Sequence, residues 1–142
     1  MRIIGALTGL AMLGLAQGAA AADLAGSWFA LSNTAVSITG DITVLADAIT
    51  FQNGAKIHIA PDGTAKGTWA GQSAPVDGAI YRLDPPEDPV LLNGNQFCGL
   101  PGNKPTYVVL APFDEGLSLI VYTGDAKPTP DADTCSIYNY SK

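Results

Sequence analysis

His58 is the only histidine in the sequence and stands between Ile57 and Ile59. A histidine side chain can serve as a general base or as a metal ligand near neutral pH. The alternation of apolar and polar residues around His58 places it on the polar side of a predicted strand, which favours an exposed position. Because there is no second histidine to join it, a conventional zinc site is disfavoured.

Other catalytic arrangements are not indicated. The sequence contains no G-x-S-x-G turn for a nucleophilic serine and no glycine-rich phosphate loop. A glycosidase with paired carboxylates stays open as an alternative, although no spacing points to one. Two loops carry several carboxylates each: Asp84, Glu87 and Asp88 in the first, and Asp125, Asp131 and Asp133 in the second. Their spacing does not fit a calcium loop. We therefore predict a non-enzymatic protein with no catalytic residue, no metal site and no cofactor.

The N-terminal segment has the composition of a secretory signal peptide. Arg2 precedes an apolar run from Ile3 to Leu15, and the small residues Ala20 to Ala22 follow. This order predicts a signal peptide over 1–22 and a single mature domain over 23–142 in the periplasm or outside the cell. The alternative is an uncleaved N-terminal anchor helix, although the apolar run is short for a span.

Cys98 and Cys135 are the only two cysteines. In an exported chain, two cysteines are most simply read as one disulfide, and two free thiols are the alternative. The strongest strand patterns lie between them, over Thr106–Leu110 and Leu117–Thr123. A Cys98–Cys135 bond would clamp these strands and hold the C-terminal segment against them.

The charge distribution excludes some partners. The formal net charge is −6. The basic residues after Arg2 are scattered: Lys56, Lys66, Arg82, Lys104, Lys127 and Lys142. Without a basic cluster, nucleic-acid binding is disfavoured, and an acidic surface disfavours anionic membranes. We therefore expect no membrane insertion. The net negative charge of the protein favours a partner with a basic surface.

Short strands joined by turns account for most of the mature chain. Val36, Ile38, Ile42 and Val44 share one parity within Ala35–Leu45, which predicts a half-buried strand with a bulge or close approach at Gly40. Turns are expected at Asn53–Gly54 and at Pro61–Gly63, and a short strand at Val90–Leu92. The pattern predicts an all-β fold: a small antiparallel barrel or sandwich of about eight to ten strands.

Two short motifs resemble known proteins. Gly26-Ser27-Trp28 resembles the G-x-W that opens the first strand of lipocalins, avidins and some bacterial protease inhibitors of calycin type. This resemblance implies a calycin-like barrel and transfers no ligand site. Phe97-Cys98-Gly99, together with Cys135-x-x-Tyr138-x-Tyr140, is similar to small exported bacterial proteins of unassigned function.

The aromatic residues and the proline-rich loops suggest two functions for a monomer. In the first, the barrel holds an unknown small ligand, and its possible lining residues are Trp28, Trp69, Tyr81 and Tyr107. In the second, aromatic side chains fill the interior, and the protein is an interaction or inhibitor module that docks through the loops Asp84–Pro89 and Gly99–Pro105. The possible docking residues are Pro85, Pro86, Glu87, Pro101 and Asn103. Ligand binding is the leading prediction, and protein docking is the alternative.

Overall fold

The computed structural model describes residues 24–99 and 103–142. The predicted signal peptide, 1–22, therefore lies outside the described residues. The strands are β1 (Gly26–Ala30), β2 (Ile42–Val44), β3 (Ala48–Phe51), β4 (Lys56–Gly67), β5 (Val76–Leu83), β6 (Tyr107–Phe113), β7 (Gly116–Tyr122) and β8 (Ser136–Ser141). The helical turns are Ala35–Thr39, Trp69–Gly71 and Leu92–Gly94. Within the described ranges, no helix has the length and apolarity needed to cross a bilayer.

The eight strands form a closed antiparallel barrel in which each strand pairs with the next along the chain. Closure is made by β1 and β8, where Phe29 lies opposite Ser141 and Ala30 lies opposite Tyr140. This confirms the predicted small all-β barrel and decides against a sandwich. Closing the sheet removes the unpaired strand edges at which other chains could add.

The barrel interior is filled by alternate residues of the strands. On β7, Leu117, Leu119 and Val121 are fully buried, and they face Tyr138 and Tyr140 of β8. These side chains belong to one contiguous cluster that also contains Trp28, Ile42, Val44, Ile49, Phe51, Ile57, Ile59, Ala79, Tyr81, Leu83, Val108 and Leu110. Val108 and Leu110 of β6 face this cluster, whereas Tyr107 and Val109 face outward, so Tyr107 does not line the interior as predicted. Burying each large apolar side chain contributes roughly 1.5–3 kcal/mol to folding.

A second apolar cluster covers the outer face of β5, β6 and β7. Trp69 is fully buried there against Ile80, Val109, Ile120 and Tyr122. Both faces of β7 are consequently buried, which explains its nearly continuous apolar sequence.

The segment Ala35–Thr39 is a turn of π-helix, so the strand predicted from Ala35 is wrong in its first half. Ser32 Oγ accepts a hydrogen bond from the Ala35 amide at 3.2 Å, and the Thr39 hydroxyl donates to Ala35 O at 3.3 Å. Such local side-chain bonds compete with strand pairing. The expected close approach at Gly40 is confirmed, because a Cβ there would overlap the side chain of Gln52.

The turn predicted at Asn53–Gly54 is confirmed: it joins β3 to β4, and Gly54 has a positive φ of 89°. Two other local predictions differ from the structure. The chain does not turn back at Pro61–Gly63; β4 continues through it with a shift of register between Pro61 and Thr64. The strand predicted at Val90–Leu92 is instead an extended stretch that leads into the helical turn Leu92–Gly94.

Candidate functional site

Four strand connections lie at one end of the barrel. In an antiparallel barrel with this strand order, they are the connections β1–β2, β3–β4, β5–β6 and β7–β8. We call residues 31–41, 52–55 and 84–99 of the first three connections the cap. Leu91 and Phe97 of the cap are 3% and 2% exposed and join the interior cluster, so the cap closes this end of the barrel.

The predicted disulfide is confirmed and fastens the cap to the barrel. Cys98 and Cys135 are bonded, with their Cα atoms 5.2 Å apart. Cys135 directly precedes β8, and its amide donates to Val121 O at 2.8 Å. The bond therefore fixes the end of the plug formed by Leu91 and Phe97 to the strands that enclose it.

Two hydrogen bonds, one to Asp88 and one from Tyr138, hold Phe97 in place. The Phe97 amide donates to Asp88 Oδ1 at 2.9 Å, and the Tyr138 hydroxyl donates to Phe97 O at 2.8 Å. Gln96 Nε2 also donates to Asp88 O at 2.8 Å. Burial raises the pKa of the Asp88 carboxyl above its ordinary value, and the bond from Phe97 opposes that rise only in part.

Asparagine side chains join the three connections of the cap. Asn93 Nδ2 donates to Ser37 O at 3.0 Å, which links the β5–β6 connection to the π-helical turn. Asn53 Nδ2 donates to Val90 O at 3.0 Å, which links it to the β3–β4 turn. Hydrogen bonds between residues far apart in sequence therefore hold the three connections of the cap together.

The outer surface of the cap exposes apolar side chains. Val36 and Val90 are 58% and 62% exposed, and the predicted docking residues Pro85 and Pro86 are also exposed. Isolated exposed aliphatic side chains are common on protein surfaces. Here, however, they lie on connections that are joined by hydrogen bonds. The cap thus offers an apolar surface of fixed shape.

The other predicted docking residues are Glu87, Pro101 and Asn103, and the two that the structure describes do not share one environment. Glu87 is partly buried against His58, whereas Asn103 is exposed beyond the disulfide. Pro101 lies outside the described residues.

The four predicted ligand-lining aromatics do not share a site. Trp28 and Tyr81 are buried in the interior cluster, whereas Trp69 and Tyr107 belong to the cluster on the outer face. Trp69 reaches the outer face because the chain turns back after β4, and its Nε1 donates to Ala65 O at 2.9 Å. Tyr107 has the outward parity of β6. The sheet therefore separates Trp28 and Tyr81 from Trp69 and Tyr107.

His58 is exposed, as expected, but it has a carboxylate neighbour that the sequence did not indicate. Glu87 Oε1 lies 3.6 Å from His58 Nδ1 and accepts a hydrogen bond from the His58 amide at 3.2 Å. The two side chains are 54% and 32% exposed. Within the two described ranges, no three histidine, cysteine or acidic residues come together in a group suited to a metal ion.

Two clefts lie beside the β6–β7 turn, which is at the end of the barrel opposite the cap. One, of about 400 Å³, lies on the outer face beside the β4–β5 connection. The other, of about 680 Å³, lies beside Trp28, and Lys142 Nζ sits 4.3 Å from the centre of the Trp28 ring. Both clefts are bordered by Phe113 and Asp114 at the β6–β7 turn.

No protein-family model, curated protein or solved structure matches this chain. The resemblance to calycins therefore stays a prediction carried by Gly26-Ser27-Trp28.

Proposed function

We propose that this protein is a non-enzymatic, monomeric interaction module whose cap docks on a partner protein with a basic surface. The observation that carries the proposal is the braced, exposed cap on a barrel whose interior is already filled. A ligand inside the barrel would have to displace buried side chains such as Tyr81, Tyr138 and Tyr140. Displacing them would leave cavities or force strain in a close-packed core.

Preorganisation favours the cap as a docking surface. Ordering a loop on binding costs free energy, and this cost is smaller when the loop already has its bound shape. The disulfide and the bonds from Asn93 and Asn53 provide that fixed shape. Val36 and Val90 are the exposed apolar side chains that the cap offers to such a partner.

Charge indicates the chemistry of the partner. The protein has a formal net charge of −6, and the cap carries the exposed Asp84 beside its exposed prolines. Opposite charge on a partner accelerates association and fixes its orientation more than it raises affinity. Complex formation should therefore slow at high ionic strength.

We also infer that the protein functions in the periplasm or outside the cell. The Cys98–Cys135 bond supports this, because structural disulfides persist in oxidising compartments. The charged, apolar and small-residue order of 1–22 supports it independently.

The test compares partner capture by three forms of the protein. The parent, Val36→Ser/Val90→Ser and the control Leu45→Ser are used to capture exported proteins of the producing cell. Leu45 is also an exposed aliphatic residue, but it lies in the β2–β3 turn at the opposite end. Each captured protein is then purified, and its affinity is measured at low and high salt.

The proposal predicts a basic protein that binds the parent and Leu45→Ser equally and binds the double variant at least roughly tenfold more weakly, since central apolar contacts dominate binding energy. It is overturned if no captured protein distinguishes the double variant from Leu45→Ser. It is equally overturned if the partner that does so is acidic.

A further inference from the structure

The smaller of the two clefts lies on the outer face of the barrel and is lined in part by the β4–β5 connection. In this connection Ala70 and Gly71 adopt consecutive left-handed conformations with φ of 52° and 70°. This conformation is unfavourable for a residue with a Cβ, such as Ala70. Trp69, buried in the outer cluster, anchors the connection immediately before these residues. The cleft volume of about 400 Å³ is within the range of small-molecule sites.

A chain of polar side chains crosses the cleft. Ser118 and Asn139 are directly opposite each other on β7 and β8, and the Ser118 hydroxyl donates to Asn139 Oδ1 at 2.6 Å. Gln72 Nε2 in turn donates to Ser118 Oγ at 3.3 Å and to Ala111 O at 3.4 Å. Ser118 is only 3% exposed, which makes it one of the few polar residues that are buried in the described part of the chain. The network fixes both amide side chains in one orientation.

This network leaves one donor group and one acceptor in the same cleft. Gln72 Oε1 is buried and has no hydrogen-bond partner among the described residues. The bond from Ser118 to Asn139 Oδ1 leaves the Asn139 Nδ2 group, with two N–H donors, in the cleft lining. An unpaired buried carbonyl is unfavourable, so a ligand N–H that reaches Gln72 Oε1 after a small side-chain adjustment would be stabilised.

The remaining lining restricts the ligand. Val76, Phe113 and Ile137 are apolar, and Asp114 adds a negative charge. The lining residues that the structure describes include no lysine or arginine, so an anion would meet no opposite charge there and would be repelled by Asp114. We propose that this cleft binds a small neutral amide, whose N–H donates to Gln72 Oε1 and whose carbonyl accepts from Asn139 Nδ2. Its hydrocarbon part contacts the three apolar side chains.

The probe is caprolactam, a cyclic amide that presents its N–H and carbonyl on the same side. Cycloheptanone has the same ring size and carbonyl but no N–H, and cyclohexanecarboxylate is an anion of similar size. Each is titrated into the protein while the side-chain amide NMR resonances of Gln72 and Asn139 are followed. We expect caprolactam to shift both resonances saturably, in the millimolar range typical of so small a ligand. The ketone should bind at least roughly tenfold more weakly and the anion should not bind.

Asn139→Asp is the decisive variant. It keeps Oδ1 as an acceptor for Ser118 and replaces the Nδ2 donors with an oxygen. The matched control is Asn33→Asp, which makes the same change at an exposed position in the cap. We expect Asn139→Asp to weaken caprolactam binding at least roughly tenfold and Asn33→Asp to leave it unchanged. If Asn139→Asp does not give a folded spectrum, Gln72→Leu on the partly exposed connection takes its place, with the same expected loss.

Three results would overturn the site: no saturable shift of Gln72 and Asn139, equal affinity for caprolactam and cycloheptanone, or unchanged binding in the cleft variant. Saturation that shifts only resonances beside Trp28 would overturn it as well. The cleft lining includes neither Val36 nor Val90, the residues that the docking test changes, so this inference succeeds or fails independently of the proposed docking function.

Discussion

The Tyr138 hydroxyl donates to the backbone carbonyl of Phe97 at 2.8 Å, across a sequence separation of 41 residues. Both residues are almost fully buried, and their rings meet edge to face with centroids 6.1 Å apart. The bond joins a core tyrosine of β8 to the residue that plugs the barrel end. This contact therefore joins the cap to the core of the barrel.

The first prediction concerns this hydrogen bond. Tyr138→Phe removes the hydroxyl and leaves a buried carbonyl unpaired, so the free energy of unfolding should fall by about 1–3 kcal/mol. Tyr122→Phe is the matched control, because the buried Tyr122 hydroxyl has no partner within the described part of the chain. Its removal should be neutral or slightly stabilising. Denaturant unfolding measures both, and an equal loss in the two variants would contradict the role of the Phe97 bond.

The second prediction concerns the disulfide. Cys98→Ser/Cys135→Ser should lower the free energy of unfolding by about 2–4 kcal/mol. Sequence reasoning assigned this loss to release of the C-terminal segment. The structure assigns it to the cap instead, because β8 pairs with both β7 and β1 and buries Tyr138 and Tyr140 completely.

Limited proteolysis distinguishes these assignments. In the double variant, the first cleavage should fall between residues 91 and 106, where the released connection becomes accessible. First cleavage within β8 would show that the bond holds the C-terminal strand after all. Mass spectrometry of the parent without reductant checks the starting condition, since thiol labelling at Cys98 or Cys135 is not expected.

Strand alternation predicted the barrel well because it depends only on neighbouring residues. The strand predicted over Leu117–Thr123 alternates as expected, because Leu117, Leu119 and Val121 face the interior while Ile120 and Tyr122 face outward. The same reasoning was wrong at Ala35–Thr39, where an equally apolar alternation forms a helical turn. Apolar residues with this spacing occur in turns as well as in strands. In this segment, the hydrogen bonds of the Ser32 and Thr39 hydroxyls favour the helical turn over the strand.

The candidate sites were less predictable, because they depend on contacts between distant residues. Asn53 and Val90 are joined across 37 residues, and Ser118 and Asn139 across 21. Trp69 was assigned to the interior side because the register shift in β4 leaves no clear sequence signal. The sequence does not show on which face of the sheet such a residue lies. The aromatic composition therefore could not distinguish a ligand site inside the barrel from a cleft on its outer face.

The third prediction concerns pH. Burial raises the pKa of Asp88 in the folded protein above its ordinary value of 3.8. A carboxyl of this kind favours the folded state when protonated, so its contribution is complete below pH 3.8 and is lost as the pH rises through the folded value. Asp88→Asn keeps an oxygen to accept from the Phe97 amide and removes the buried charge.

This variant should therefore be more stable than the parent at neutral pH, and the difference should shrink toward acid pH. Denaturant unfolding across the pH range measures it. Asp125→Asn, at an exposed position, reports the effect of losing one negative charge from an acidic protein. A variant that is less stable than the parent at neutral pH would mean that the charge strengthens the bond to Phe97 more than burial disfavours it.

The fourth prediction concerns Gly78, where the indole of Trp69 lies directly on the backbone of β5. A Cβ at this position would overlap the Trp69 ring and approach Val109. Both neighbours are buried in the outer cluster, and neither can move away without opening a gap. Gly78→Ala should therefore lower the free energy of unfolding by about 1–3 kcal/mol through overpacking.

The control for this substitution is Gly124→Ala, because the nearest atom to a Cβ at Gly124 is the Ala126 amide nitrogen at 4.0 Å. Thermal melts should show a loss only for Gly78→Ala, and the near-ultraviolet circular dichroism of the tryptophans should change with it. Displacing Trp69 also moves the connection that forms the outer cleft, so the same variant should weaken caprolactam binding while leaving docking at the cap intact. Unchanged stability and unchanged tryptophan signals would show that Trp69 does not rest on this glycine in solution.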